Sequence, residues 1–392
     1  MFIPSLVRQS FLIVLTVSSC FPLHASDVQQ AIDTLQKMVP GGKGTEVARQ
    51  AVLEIAAAGE SALIPTLQGF SATNRLGANW LRNAFDENIA RLKARDRKLP
   101  LAALESFTKD ISQSPIARRL AYETLKSADP AAEARLIPGM LLDPSAEFRR
   151  DAVTMLITEA AAQQDAARAV ESYRKALAGA VHEDQVKTIA EALRKNGETV
   201  DIQKHFGFIN SWQVAGPFDN KDEKGFAVAY APENEAISSS GVSLQTEYDG
   251  QLGKVRWADI RTEDDFGVVD IAKQIQNYKG SLMYLSTTWN SQQAQNAEIR
   301  LGTPNAWKLW VNGQKVFERE EYHRSSEMDQ YRVPVQLKAG ANAIVLKLCQ
   351  NEQTQEWAQD YQIQLRICDA TGAGILPAPR TASAISSEGV VQ

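Results

Sequence analysis

The sequence predicts a multidomain α + β protein: an N-terminal all-α array followed by a C-terminal all-β sandwich or jelly roll. Three observations carry that expectation. From Asp27 to about Lys204 apolar residues recur at three- and four-residue spacing, and from about Phe206 they alternate with polar ones. Six of the seven tryptophans lie in the second region, Trp80 being the exception. Charge divides at the same place: residues 27–204 carry 24 Lys+Arg against 24 Asp+Glu, and residues 205–392 carry 17 against 23. A chain of 392 residues, 44% hydrophobic and 23% charged, is long enough for two or three domains and is not disordered by composition. The acidic excess argues against nucleic acid as the default partner.

Residues 1–25 read as a secretory signal. Arg8 precedes the apolar stretch Phe11 to Val17, and small and polar residues follow up to Ala25. Cleavage after Ala25 leaves Ser26 first in the mature chain. A competing reading takes Val17-Ser18-Ser19-Cys20 as the box before a lipid-anchored Cys20, with Phe21-Pro22 counting against it. Either way the protein is expected to be exported, to the periplasm, the cell envelope or the medium. No transmembrane segment is expected after signal removal. Export permits disulfides, but Cys349 and Cys368 end two alternating segments. Drawn as a simple hairpin, those segments hold the two thiols roughly 20 Å apart at strand rise, beyond disulfide reach. Two free thiols are expected.

Residues 26–204 read as helices of about 10–20 residues joined by short breaks at Pro40-Gly41-Gly42, Lys98-Leu99-Pro100, Asp129-Pro130, Asp143-Pro144-Ser145 and Asn196-Gly197. The stretch Leu136-Ile137-Pro138-Gly139-Met140-Leu141-Leu142-Asp143-Pro144-Ser145, followed by Phe148-Arg149-Arg150-Asp151-Ala152-Val153, resembles a HEAT repeat over about 25 residues. Ala62 to Leu67 echoes its first helix more weakly. The resemblance implies a stacked solenoid that presents a surface to a protein partner. A compact irregular helical domain is the other reading.

Residues 205–372 read as eight to ten short strands, among them Trp212–Val214, Val242–Thr246, Leu282–Thr287, Ala297–Leu301, Lys308–Val311 and Tyr331–Leu337. Val311-Asn312-Gly313-Gln314-Lys315-Val316 reads as a tight hairpin, because Asn-Gly tolerates positive φ at both turn positions. Residues 373–392 read as a flexible tail. Arg300-Leu301-Gly302, Lys308 to Gly313 and Val333 to Lys347 together resemble the galactose-binding-like sandwich over about 70 residues. Domains of that family accompany glycoside hydrolases and many exported bacterial proteins. The resemblance implies fold; its motifs are core and turn positions and designate no ligand residue.

Carbohydrate binding needs flat aromatic faces beside polar groups. Trp307 shares parity with Leu309 and Val311 and is expected in the core, with Trp310 on the opposite face. Trp289 and Trp357, with Asn290 and Gln359, are the candidates for a loop-borne glycan platform; otherwise these rings plug the sandwich ends or face the helices. The acidic loop Gly216 to Gly225 fails the calcium-loop pattern, because Lys221 takes a ligand position. It reads as a solvated turn. Asp264-Asp265 and Glu318-Glu320-Glu321 offer carboxylate pairs of the kind glycoside chemistry uses, but surface turns carry such pairs commonly. His323 has no identifiable partner, and His182 and His205 fall at bland positions. No Gly-x-Ser-x-Gly, His-Glu-x-x-His or Cys-x-x-Cys motif occurs, and Gly41-Gly42-Lys43-Gly44-Thr45 lacks the spacing of a phosphate loop. The basic run Arg91, Lys93, Arg95, Arg97, Lys98 is read as cations at a helix end. The expectation is a non-catalytic exported binding or scaffold protein with no metal site and no cofactor. Its helices contact a protein and its sandwich a glycan or a second protein. The alternative is an accessory subunit or divergent hydrolase acting on polysaccharide.

Overall fold

A computed structural model describes residues 25–72, 74–237, 242–243 and 245–378. The signal, Cys20 and residues 379–392 therefore lie outside the described residues. The chain is a mixed α + β protein with antiparallel sheets, and it divides into two compact units, Met1–Leu136 and Ile137–Gln392. Among the described residues no helix is long and apolar enough to cross a membrane.

The first unit holds α1 (Ala25–Gln36), α2 (Thr45–Ala58), α3 (Glu60–Gln68), α4 (Arg75–Ala94), α5 (Leu101–Lys109), α6 (Pro115–Ala128) and α7 (Ala132–Leu136). Their limits follow local chemistry. Asn74 caps α4 by accepting from the Gly77 N–H, and Pro115 opens α6, where its missing N–H costs nothing. Gly59, at φ 65°, separates α2 from α3. Helix α2 packs on α1 and α4, and α5 on α6, with Ile32, Leu35, Ile55, Leu63, Leu81 and Phe85 buried.

The second unit opens with a 3-10 turn at Ile137–Met140, followed by α8 (Ala146–Ala162), α9 (Ala166–Gly179), α10 (Glu183–Lys195) and α11 (Ile202–Phe206). The first helix of the repeat-like stretch is thus cut short. Pro138 removes a backbone donor there, and the units divide within it, between Leu136 and Ile137. The strands and short helices follow: β1 (Ser211–Asp219), α12 (Ala231–Ile237), β2 (Glu247–Gly250), β3 (Gly253–Arg256), β4 (Ala258–Arg261), β5 (Val268–Asp270), α13 (Ile271–Gln274), β6 (Ser281–Ser291), β7 (Gln295–Gly302), β8 (Ala306–Val311), β9 (Gln314–Arg319), β10 (Tyr331–Leu337), β11 (Gly340–Gln350) and β12 (Gln362–Cys368). Residues 242–243 and 245–246 are not a strand.

Six strands form one sheet in the order β4-β1-β6-β11-β8-β9, four form a second in the order β10-β7-β12-β5, and β2 and β3 form a ribbon. Alternate residues of both sheets fill one core: Met283 and Leu285 on β6, Trp307 and Leu309 on β8, Leu346 and Leu348 on β11, against Ile299 and Leu301 on β7, Val333 and Val335 on β10, Leu365 and Ile367 on β12. The outer face of the six-stranded sheet is covered too. There Phe218, Tyr284, Ala306 and Cys349 pack with Phe226, Tyr248 and Trp257 from the β1–β4 connection, and Trp310 and Val345 meet Val242. This double burial explains why Leu282–Leu285 and Trp307–Trp310 are apolar or covered at every position. The same cover buries Lys347, whose Nζ donates to the carbonyls of Phe226 and Val228 and pairs with Glu233 at 3.0 Å.

The outer face of the four-stranded sheet carries two buried arginines. Arg366 forks onto Asp329 at 2.7 and 2.6 Å and also donates to the carbonyls of Phe206 and Gly372. Arg300 reaches Asp329 at 2.8 Å and Glu298 at 2.7 Å. Helices α8–α11 belong to this body. The His205 ring meets the Ala180 carbonyl at 2.8 Å, Arg194 pairs with Asp265 at 2.8 Å, Gln203 donates to the carbonyls of Thr262 and Asp264, and Phe206 packs with Phe266. The expected boundary at residue 204 is therefore a change of secondary structure and not a break between compact bodies.

Two further expectations are corrected. β11 and β12 form no hairpin: β11 pairs with β6 and β8, and β12 with β7 and β5. Cys349 and Cys368 are both free and buried, on different sheets. The tail does not begin at 373. Asp369 accepts from the Thr371 and Ala373 N–H groups, Ile375 donates to the Ile367 carbonyl, and Ala378 donates to the Asn290 carbonyl, so residues 373–378 are bonded to the sheet. The Asn312-Gly313 hairpin forms as expected between β8 and β9, with φ 51° and 82°.

Candidate functional site

The four candidate platform residues fall at opposite ends of the six-stranded sheet. Trp289 is not on a loop; it stands near the end of β6, 5% exposed, with its ring in the shared core. Asn290 follows it in the strand, and both line an open cleft of about 490 Å³ bordered by α11, the start of β1 and Leu376–Ala378. Trp357 sits at the other end, because Ala358 is held by Gln350, the register partner of Ser281. Eight residue steps along β6 separate Ser281 from Trp289, about 26 Å at strand rise. One ligand-sized platform does not include both rings.

Trp357 is the exposed tryptophan of the chain, 61% accessible where the others are buried or half-buried. It rides on a 3-10 turn, Glu356–Ala358, between β11 and β12. Three side chains from neighbouring segments hold that turn. Lys279 donates to the Ala358 carbonyl at 2.7 Å, Gln350 donates to the same carbonyl, and Asn277 donates to the Gln359 carbonyl and side chain. Gln359 in turn donates to the carbonyls of Thr354 and Gln355. Its amide is thus committed to closing the loop, so Gln359 positions the tryptophan instead of contacting a ligand. An exposed aromatic on a turn braced in this way is a preorganised surface.

Beside the indole lies a chain of polar groups that sequence reasoning did not connect. His323 meets Trp357 edge-on, with centroids 5.3 Å apart, and its Nε2 lies 2.6 Å from Asn351 Oδ1. Asn351 donates to Glu223 at 3.1 Å. Glu352 accepts from the Asp222 backbone N–H, and the Lys224 hydrogen bond holds the Asp222 carboxyl below its usual range. Buried Asn220 bonds the Tyr322 hydroxyl and the Gln350 carbonyl, and burial raises the Tyr322 phenol. Gly216–Asp219 belong to β1, and the turn that follows, Lys221–Lys224, is exposed as expected while Asp222 and Glu223 tie it to Glu352 and Asn351. Asp222, Glu223 and His323 all have left-handed backbones, at φ 53°, 62° and 56°. Such conformations are uncommon for non-glycine residues and persist where surrounding bonds over-determine them. Nothing in the residue types announces them, which is why His323 looked unpartnered.

Of the carboxylates considered for acid–base chemistry four are engaged in structure, Glu321 with Arg319 and Arg324 among them, and Glu320 is exposed with no ion pair among the described residues. Asp264 accepts from the N–H groups of Phe266 and Val268, Asp265 pairs with Arg194, and Glu318 is shared by Lys308 and Lys315. Among the described residues no three His, Cys, Asp or Glu gather in a metal-holding arrangement. The Trp357 face can stack a flat apolar surface, with His323 at its edge and the exposed Glu223 carboxylate linked to His323 through buried Asn351.

No family model matches the chain, and no curated protein does. Solved structures resemble parts of it. A β-glucosidase from Kluyveromyces marxianus in complex with glucose is 8% identical with a TM-score of 0.25, over 40% of this chain and 16% of that one. A GH31 α-xylosidase from Xanthomonas citri is 14% identical with a TM-score of 0.17, over 28% and 14%. A GH26-CBM35 β-(1,4)-mannanase from Podospora anserina is 16% identical with a TM-score of 0.15, over 29% and 26%. The chain thus spans about a sixth of the glucosidase, and likenesses this slight carry no inference about ligand or reaction.

Proposed function

We propose that the protein is an exported, non-catalytic binding protein. In this reading the two-sheet body is a galactose-binding-like sandwich that docks a neutral glycan on the Trp357 face, and the helices, read as a HEAT-like array, contact a protein partner. One observation carries the glycan reading: an indole 61% exposed, on a braced turn, beside a hydrogen-bonded set of left-handed residues. The exposed apolar face of an indole is what a sugar ring packs against. The engagement of Asp264, Asp265, Glu318 and Glu321 in capping and ion pairs leaves Glu320 without a second free carboxylate in either cluster, which favours binding over hydrolysis.

Titration of the full mature chain against a panel of neutral oligosaccharides tests the proposal. A saturable ligand is expected, with Trp357→Ala weakening it at least about tenfold, roughly 1.4 kcal/mol. The thermal midpoint should stay unchanged, since the ring is exposed. A panel without a ligand, or a ligand indifferent to Trp357→Ala, would overturn it.

A further inference from the structure

In the first unit Arg91, Arg95 and Arg97 share one cleft, and the usual role of cations at a helix end accounts for only the first of them. Arg91 and Lys93 lie in the last turn of α4, where they favour the macrodipole. Arg95 and Arg97 lie beyond it. The chain reverses there through Asp96, left-handed at φ 51°, with the Asp96 N–H donating to the Lys93 carbonyl and the Arg97 N–H to the Leu92 carbonyl. Glycine is the usual residue at the left-handed position of such a helix ending. Here the reversal brings exposed Arg97 to the same wall as Arg91 and exposed Arg95, bordering with Gly59, Glu60 and Ser61 an open cleft of about 380 Å³.

The charges on this wall are not balanced. Arg91 pairs with Glu87 at 2.8 Å, but Arg95 and Arg97 make no ion pair among the described residues. Glu60, the cleft's single carboxylate, is paired with neither. Two guanidinium forks present more N–H donors than one carboxylate's two oxygens accept, whereas a tetrahedral ester offers three free oxygens. The volume exceeds that of one such group and leaves space for what carries it.

We propose that this cleft binds a phosphate or sulfate group, free or carried as an ester. The site lies in the first unit and does not depend on the Trp357 face, so either can fail alone. Calorimetric titration of the full mature chain at fixed ionic strength, with orthophosphate, sulfate and glucose 1-phosphate as probes, tests it. Saturable binding of at least one probe is expected, weakened about tenfold by Arg95→Ala or Arg97→Ala. Glu60→Gln should tighten it about two- to threefold, because it removes from the cleft a negative charge that repels the bound anion. That gain is not expected of a residue with a merely structural role. A preference for glucose 1-phosphate over both inorganic ions assigns an ester, and equal binding assigns the free ion. Absence of saturable binding, or binding that chloride displaces equally well and that neither arginine variant changes, overturns the proposal.

Discussion

Asp329 shows what a single residue can hold. It sits at φ 61° and accepts from Arg300 and Arg366, both almost fully buried. Burial alone would raise its carboxyl, yet the Arg366 and Arg300 hydrogen bonds hold it below the usual range. Removing it leaves buried Arg366 without a carboxylate and Arg300 with Glu298 alone, so Asp329→Ala should cost about 3–5 kcal/mol, read as a fall in the urea midpoint. A loss below about 1 kcal/mol would show that water or Glu298 compensates. None of this was legible in the sequence, because Asp329 meets its arginines only through the register of β7 and β12. Side-chain parity was more informative. Trp307 lies in the shared core and Trp310 on the opposite face, as alternation along β8 required. Parity could not say that Trp289 continues a strand while Trp357 leaves one.

At the scale of elements, local chemistry was readable and partner choice was not. Asn312-Gly313 specifies its turn by backbone tolerance alone, and β8 and β9 follow from it. The neighbours of β11 are set by sheet order, and no local signal distinguishes pairing with β12 from pairing with β6 and β8. The short helix α11 is a case where context alters a residue's chemistry. His205 is half-buried, and burial pushes its ring below the ordinary 6.5, with Arg366 adding to the shift against the bond to the Ala180 carbonyl. Below pH 6.5 the unfolded chain binds this proton more readily than the folded one. The stabilisation is therefore complete above 6.5 and is lost as pH falls towards the folded value. Thermal midpoints should drop between pH 7.5 and 5, and drop less in His205→Gln. His182, also pushed down by burial, leaves a residual slope. An unchanged slope in the variant would remove His205 from the account.

For the whole molecule, the change from helix to strand near residue 206 was visible in the period of the apolar pattern, but the division into compact units was not. Helices α8–α11 share a core with Phe208, Phe266 and Met328 from the β region. A fragment beginning at 205 would strip Phe266 of its helical neighbours, Asp265 of Arg194 and His205 of the Ala180 carbonyl. It should melt roughly 5–10 °C below a fragment beginning at 137, or fail to stay soluble. Equal midpoints for the two would contradict the packing described. The candidate glycan face divides in the same manner. Trp357 could be picked out by residue type, whereas His323, Glu223 and Asn351 became associated with it only through tertiary bonds and left-handed backbones.

The two free thiols acquire a use from their positions. Cys349 lies beneath the β1–β4 connection on one outer face, and Cys368 lies beside Arg366 on the other. Burial raises both, to about 12 and about 11, so neither reacts while its cover is closed. Each is a silent timer for a different layer of the protein: the rate at which one sulfur is alkylated counts openings of its own cover and ignores the other.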